Sequence, residues 1–330
     1  MSLIAVSIDA SQFPAQVKND LLESLRRREV NHKFHYDSVE QTEKWLALHE
    51  AYSPARTDTG CLATYDLAFA ETAGLLKQSQ VDLISLGCGG GQKDAALIRQ
   101  LHARGIACRY FPCDVAMAMA LTAHGAISTE FPQIESRPAV CDLGNMNDLR
   151  SFLTSIAGTG HSKLLAFFGM IPNFEPDVAV RKLANALSAG DSCIMSANLA
   201  PLANYDEGVR RVLPLYDNDL TKEWLITFLL HLGVERTDGT IRFEIEGCPS
   251  GRDLRRMTAY FKFERARRIS VYGEPFELRA GDRIRLFFSY RYTPERIDSL
   301  LQEYAFTAKK SWITKSQEEG IFLCEKTKPN

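Results

Sequence analysis

Between residues 82 and 198 short apolar runs alternate with amphipathic segments, and this alternation limits the chain to very few folds. The spacing predicts strands over Asp82–Leu86, Ile106–Cys113, Pro138–Cys141, Lys163–Phe168 and Ser192–Asn198. Helical spacing separates them, over Gly91–Arg104, Ala116–His124, Asn147–Ile156 and Val178–Leu187. Strands joined through helices pair in parallel and are buried on both faces. Right-handed crossovers then wind them into a doubly wound α/β sheet. A ligand in such a sheet sits outside the carboxyl ends of the strands. The first three runs end there on Gly87, Asp114 and Asp142.

The flanks follow other rules. Asn19–Glu29 and Gln41–Glu50 read as helices, with Lys33–Asp37 extended between them. Thr57-Asp58 reads as the cap of a long helix reaching Lys77. Past residue 200 the alternation stops. A helix over Asp217–Leu232 precedes period-two strands over Thr240–Ile245, Arg256–Arg265 and Arg283–Tyr292, an antiparallel insertion. A helix over Pro294–Tyr304 and a strand pair, Thr307–Thr314 with Ile321–Lys326, then return to the sheet. The expected division is an N-terminal helical segment over 1–60, a core over 61–200 and 293–330, and an inserted lobe over 201–292. The N-terminal helices and the insertion are expected to form a lid over the strand ends.

Thirty-nine basic and forty-one acidic residues nearly cancel, so no global field for nucleic acid or an anionic membrane exists. The basic stretch Arg252, Arg255, Arg256, Lys262, Arg265, Arg267 and Arg268 reads as the solvated face of strands. No apolar run approaches the ~20 residues of a membrane span. Residues 1–20 lack a secretory pattern. The eight cysteines are scattered, with no C-x-x-C pair. They read as buried thiols of a cytoplasmic protein, and neither a metal site nor a disulfide frame is expected.

Three strand ends carry the chemistry. Gly87-Cys88-Gly89-Gly90-Gly91 lies between a strand and a helix. There glycine lets the backbone approach a ligand and the helix offers free N–H groups. Asp114 suits the hydroxyls of a ribose. Asp142 can accept from an exocyclic amine of adenine while Leu143 packs on its ring. These ends suit both a dinucleotide and S-adenosylmethionine. Gln92 breaks the G-x-G-x-x-G pattern of the first, and the closing hairpin favours the second; no P-loop is present.

The chain resembles the histidine-specific, S-adenosylmethionine-dependent methyltransferase family over roughly residues 30 to 330. Lys33-Phe34-His35-Tyr36-Asp37 is similar to that family's opening motif, and Ala51-Tyr52-Ser53-Pro54-Ala55-Arg56-Thr57-Asp58 to its E-Y-Y-x-T-R-[TA]-E. Gly87-Cys88-Gly89 with Lys93 resembles G-S-G-x-x-x-K, and Tyr110–Val115 resembles Y-x-P-x-D-[IV]-S. Phe168–Phe174, Gly190-Asp191 and Leu215-Tyr216-Asp217 match further segments in order. The resemblance implies a Rossmann-like class I methyltransferase core with a C-terminal antiparallel hairpin, plus an α+β substrate-binding lobe. It implies cofactor contacts from Gly87, Gly89, Lys93, Asp114, Asp142 and Leu143. It implies that Asn173 and Tyr216 hold a substrate carboxylate and that Tyr36 and Tyr52 line the amine, the catalytic position.

One departure bears on the substrate. The family recognises histidine through a glutamate and a serine in G-[ED]-x-I-x-[TV]-E-x-S. Here Gly281–Ser289 keeps the serine as Ser289 but carries Phe287 at the glutamate position. Phe287 and Phe288 alternate on a strand, so only one faces a pocket. With Phe287 there, the expected substrate is a small amino-acid-like molecule, apolar or aromatic and tryptophan-like, with Ser289 reaching a ring N–H. The expected reaction is N-methylation. Methylation of an indole carbon or a hydroxyl, and a nicotinamide-dependent oxidoreductase on a similar fold, are the alternatives.

Overall fold

The computed structural model describes residues 3–326. Its strands are β1 (Ser7–Ile8), β2 (Gln80–Leu86), β3 (Ala107–Asp114), β4 (Ala139–Val140), β5 (Ser162–Phe167), β6 (Ser192–Asn198), β7 (Gly239–Gly247), β8 (Arg255–Phe263), β9 (Arg267–Val271), β10 (Glu274–Leu278), β11 (Arg283–Arg291), β12 (Phe306–Ile313) and β13 (Glu319–Lys326). The chain divides into two compact units. The first comprises Met1–Gln12, Asp58–Leu199 and Tyr292–Asn330, and the second Phe13–Thr57 and Ala200–Arg291.

The first unit is built on an eight-stranded sheet of order β1-β4-β3-β2-β5-β6-β13-β12. Strands β1 to β6 pair in parallel, and β13 and β12 are antiparallel additions. The mostly parallel, doubly wound α/β architecture with a closing hairpin is therefore present. Every residue of β2 after Gln80 is buried, as is the second half of β5, which is why these runs are apolar without alternation. Strand order reverses between β3-β2 and β5-β6, so the ligand crevice of such a sheet lies at the end of β2. The third expected strand shrinks to the two residues of β4. β1, which pairs with it, was not expected at all, because two exposed residues carry no periodic signal. The first residues of the expected N-terminal helical segment thus form a sheet edge.

The second unit packs helices Pro14–Arg27, Val39–Tyr52 and Asp219–His231 with the antiparallel sheet β11-β8-β7. Leu22, Phe34, Trp224, Phe261 and Leu286 are buried in its core. Residues 33–37 were expected to be extended. The backbone instead makes a 3-10 turn, His32–His35, because the Asn31 side chain caps it by accepting from Lys33 N. Helix Tyr205–Arg211 and hairpin β9–β10 also lay outside the expectation. The solvated reading of the basic stretch fails at Arg256. That residue is 4% exposed, is paired with Glu246 at 3.2 Å and stacks over Phe288.

β11 bulges between Arg285 and Phe287, and two imidazoles fasten the bulge. His35 Nε2 donates to the Leu286 carbonyl at 2.7 Å, and His32 Nε2 accepts from Phe288 N at 3.4 Å. Burial lowers His32 to about 3, helped by His35 and nearby arginines. Burial likewise lowers His35 to about 4, against the pull of the Leu286 carbonyl. Both rings are neutral in the fold and bind protons in the unfolded chain once the pH drops below about 6.5. Stability is therefore expected to be full above that pH and to fall below it, approaching ~1.4 kcal/mol per pH unit for each histidine. Urea unfolding at pH 7.5, 6.5 and 5.5 checks this; a flat profile refutes it.

Candidate active site

The glycine turn follows β2 directly. Gly87, Gly89 and Gly91 all have positive φ, 75°, 52° and 78°. The first is also crowded, since a Cβ on it would stand 2.3 Å from Met170 Sδ. Helix Gln92–Ala103 starts from this turn, and its buried Asp94 accepts from Ser85 at 2.9 Å and from the Tyr110 hydroxyl. Burial pushes Asp94 up to about 6 against those bonds. The turn is thereby tied to both β2 and β3.

Asp114 closes β3 beside it. Its two carboxylate oxygens accept from Gly89 N and Ala116 N, each at 3.0 Å. Burial raises its pKa while those amides oppose the rise. Cys88 lies 4.0 Å from the same carboxylate, and burial holds its thiol well above its usual value. Asp142 follows β4, and its Oδ1 accepts from Gly144 N at 2.8 Å in a tight turn. Leu143 faces an apolar slot shared with Leu86, Phe167, Phe174 and Leu183. Lys182 closes it, donating to the carbonyls of Leu143 and Gly144 at 2.6 Å each.

Asn173 ends a 3-10 turn after β5, with its Nδ2 donating to Gly169 O at 3.5 Å. Lys93 is the second residue of helix Gln92–Ala103, and its ammonium donates to the Tyr65 hydroxyl at 2.7 Å and to Glu319 at 3.4 Å.

The second unit holds the remaining residues. Beyond the bulge, Phe287, Ser289 and Arg291 share one face of β11. The Tyr216 hydroxyl lies 3.1 Å from Ser289 Oγ and accepts from Arg291 Nη2 at 2.9 Å. The Phe287 ring stacks on His32 at 5.1 Å, meets Trp224 edge-on at 5.9 Å and Tyr216 at 6.2 Å. Phe288 packs toward Tyr290 at 5.7 Å and also meets His32, at 4.7 Å. Tyr36 packs between Trp45 and Trp224, and Tyr52 ends its helix 37% exposed. Thus the structure joins Gly89 with Asp114, and Tyr216 with Phe287 and Ser289. Lys93 is instead joined to Tyr65 and Glu319.

Residues 17–326 match the family described as histidine-specific methyltransferase, SAM-dependent. The chain belongs to that family. S-adenosylmethionine is accordingly its cofactor, which removes the nicotinamide alternative, and the protein is a methyltransferase. It is 25% identical over 309 residues to histidine N-alpha-methyltransferase of Mycolicibacterium smegmatis, covering 88% of each chain. It is 24% identical over 281 residues to N-methyltransferase imqF of Aspergillus flavus, covering 83% of this chain and 73% of that one. Among solved structures it is similar to magnesium protoporphyrin IX methyltransferase (ChlM) from Synechocystis PCC 6803 with bound SAH. The TM-score there is 0.48 and the identity 10%, over 88% of this chain and 95% of that one.

The residues present fit this cofactor. A cradle that a single Cβ would fill, a strand-end carboxylate and an apolar slot beside a second carboxylate lie at consecutive strand ends. Sequence reasoning missed Tyr65, Lys182, Arg291, His32 and Glu319. None lies in a motif, only Arg291 stands at a strand's carboxyl end, and their partners are distant in sequence.

Proposed function

We propose that this methyltransferase acts on the amino group of an amino acid or amino-acid derivative with an apolar or aromatic side chain, tryptophan-like before histidine. The observation that carries the reading is the setting of position 287. A phenylalanine stands there among His32, Trp224 and Tyr216, on the face that also carries Ser289. A glutamate there could accept an imidazole N–H, and Phe287 cannot. A site without that acceptor loses its hold on histidine, whereas an aromatic ring gains contacts of ~0.5–1.5 kcal/mol. The relative from Aspergillus flavus, named an N-methyltransferase, supports nitrogen as the acceptor atom.

In this reading Asp114 takes the ribose hydroxyls, and Asp142 and Leu143 take the adenine. Gly87 and Gly89 let the backbone approach, and Lys93 meets the amino-acid end of the cofactor. When bound, the cofactor supplies a methyl group on a sulfonium sulfur, open to in-line displacement. The protein supplies alignment and excludes water. Asn173 and Tyr216 hold the acceptor's carboxylate. Tyr36 and Tyr52 orient an amine that must arrive with its lone pair free, so its proton passes to water. The free thiols, seven of eight buried, suit a reducing cytoplasm.

The test is competition. With equal L-histidine and L-tryptophan, methylated tryptophan is expected to exceed methylated histidine by about tenfold or more, counted by mass spectrometry. Predominantly methylated histidine refutes the reading. Methylation of neither rejects free tryptophan and directs the search to larger derivatives.

A further inference from the structure

Glu319 opens β13 at the sheet's interior and is 6% exposed. Its Oε1 accepts from the Tyr65 hydroxyl and, at 3.4 Å, from the Lys93 ammonium. Its Oε2 accepts from the Cys61 thiol at 3.6 Å. Burial alone would raise this carboxyl, but Lys93, Tyr65 and Ser196 outweigh it and hold it below its usual value. Burial and the Glu319 charge push Tyr65 well up, so the phenol keeps its proton. A neutral phenol can serve both neighbours at once. It donates to the carboxylate and accepts from Lys93 at 2.7 Å.

The network reaches further. Ser196, bonded to Glu319, accepts from Gly169 N at 2.9 Å, and the Gly169 carbonyl accepts from Asn173. One buried carboxylate therefore connects helix Thr59–Leu75, the start of helix Gln92–Ala103 and the turn after β5. Lys93 also lies over the Tyr65 ring, 4.2 Å from its centroid. A lysine left to itself samples many rotamers, and ordering it on binding weakens the ligand. Here that ordering is already complete.

We propose that Glu319, acting through Tyr65, is a positioning residue that holds the Lys93 ammonium for the carboxylate at the amino-acid end of the cofactor. The proposal rests on the reading of Lys93 as a cofactor contact. It separates two ligands. S-adenosylhomocysteine carries the amino-acid end, and 5′-methylthioadenosine lacks it while keeping the adenosine.

The experiment is calorimetric titration of both compounds into the full chain and its variants, with thermal melts as the folding check. Lys93→Ala tests the underlying reading and is expected to weaken S-adenosylhomocysteine only. Glu319→Gln keeps the side chain's shape and removes its charge. It is expected to weaken S-adenosylhomocysteine about fivefold or more while 5′-methylthioadenosine stays within about twofold. Tyr65→Phe keeps the ring in the core and leaves the 3.4 Å ion pair. Its loss should have the same selectivity and be smaller, about threefold. If Glu319→Gln does not fold, Tyr65→Phe decides.

Selective loss in Lys93→Ala with none in Glu319→Gln and Tyr65→Phe overturns the proposal and leaves the reading of Lys93 standing. Equal losses for both compounds make the network merely structural and overturn it. Tighter S-adenosylhomocysteine in Glu319→Gln also overturns it, since Glu319 would then compete with the cofactor for Lys93. No selectivity in Lys93→Ala removes the reading and the proposal together.

Discussion

Asp114→Ala is expected to lower the affinity for S-adenosylhomocysteine by about a hundredfold or more, with the sheet still folded. Two ribose hydroxyls donating to one carboxylate make two charge-assisted bonds, each worth ~1.5–3 kcal/mol. Their sum passes two factors of ten in binding even at its lower end. The same carboxylate also holds Gly89 N and Ala116 N, so its loss slackens the glycine turn and adds to the effect. Asp114→Asn retains one carbonyl acceptor and is expected to lose about tenfold. Titration calorimetry reads both variants. Unchanged affinity in the alanine variant would reject ribose binding at this strand end.

The second large effect concerns the acceptor. Asn173→Ala and Tyr216→Phe are each expected to weaken L-tryptophan by about tenfold or more while leaving tryptamine nearly unaffected. A neutral donor to a carboxylate contributes ~1.5–3 kcal/mol, and tryptamine has no carboxylate to lose. Steady-state kinetics with both amines checks this. Tyr216 also accepts from Arg291 and contacts Ser289, so the phenylalanine variant could act by loosening β11. That case has its own signature, an equal loss for both amines, and it would make Tyr216 a structural residue.

The parallel core was legible because doubly buried strands write themselves as uninterrupted apolar runs, and because polar residues mark where they stop. Gly87, Asp114 and Asp142 stand out in the sequence for that reason alone. Other features lack a local signal. β1 has two exposed residues and is defined only by its partner. The turn at His32–His35 hangs on one asparagine cap in a stretch where Phe34 and Tyr36 alternate as they would on a strand. The bulge in β11 falls at Leu286, inside a segment that reads in sequence as one continuous strand. Arg256 looks like one more surface arginine until Glu246 is placed beside it. Tyr65 and Glu319 are 254 residues apart, so nothing local links either to Lys93.

The second unit is assembled from two stretches that the ribosome makes far apart in time. His35 must wait 189 residues for the indole of Trp224 and 251 for the Leu286 carbonyl. Until then Leu22, Leu25 and Phe34 lack the part of their core that comes from Trp224 onward, Phe228, Phe261 and Leu286 among it. Closure over such separations is slow and leaves greasy surface open to other chains. Yield in a recombinant host should therefore respond to chaperone supply and lower growth temperature more strongly than the finished protein's stability would suggest.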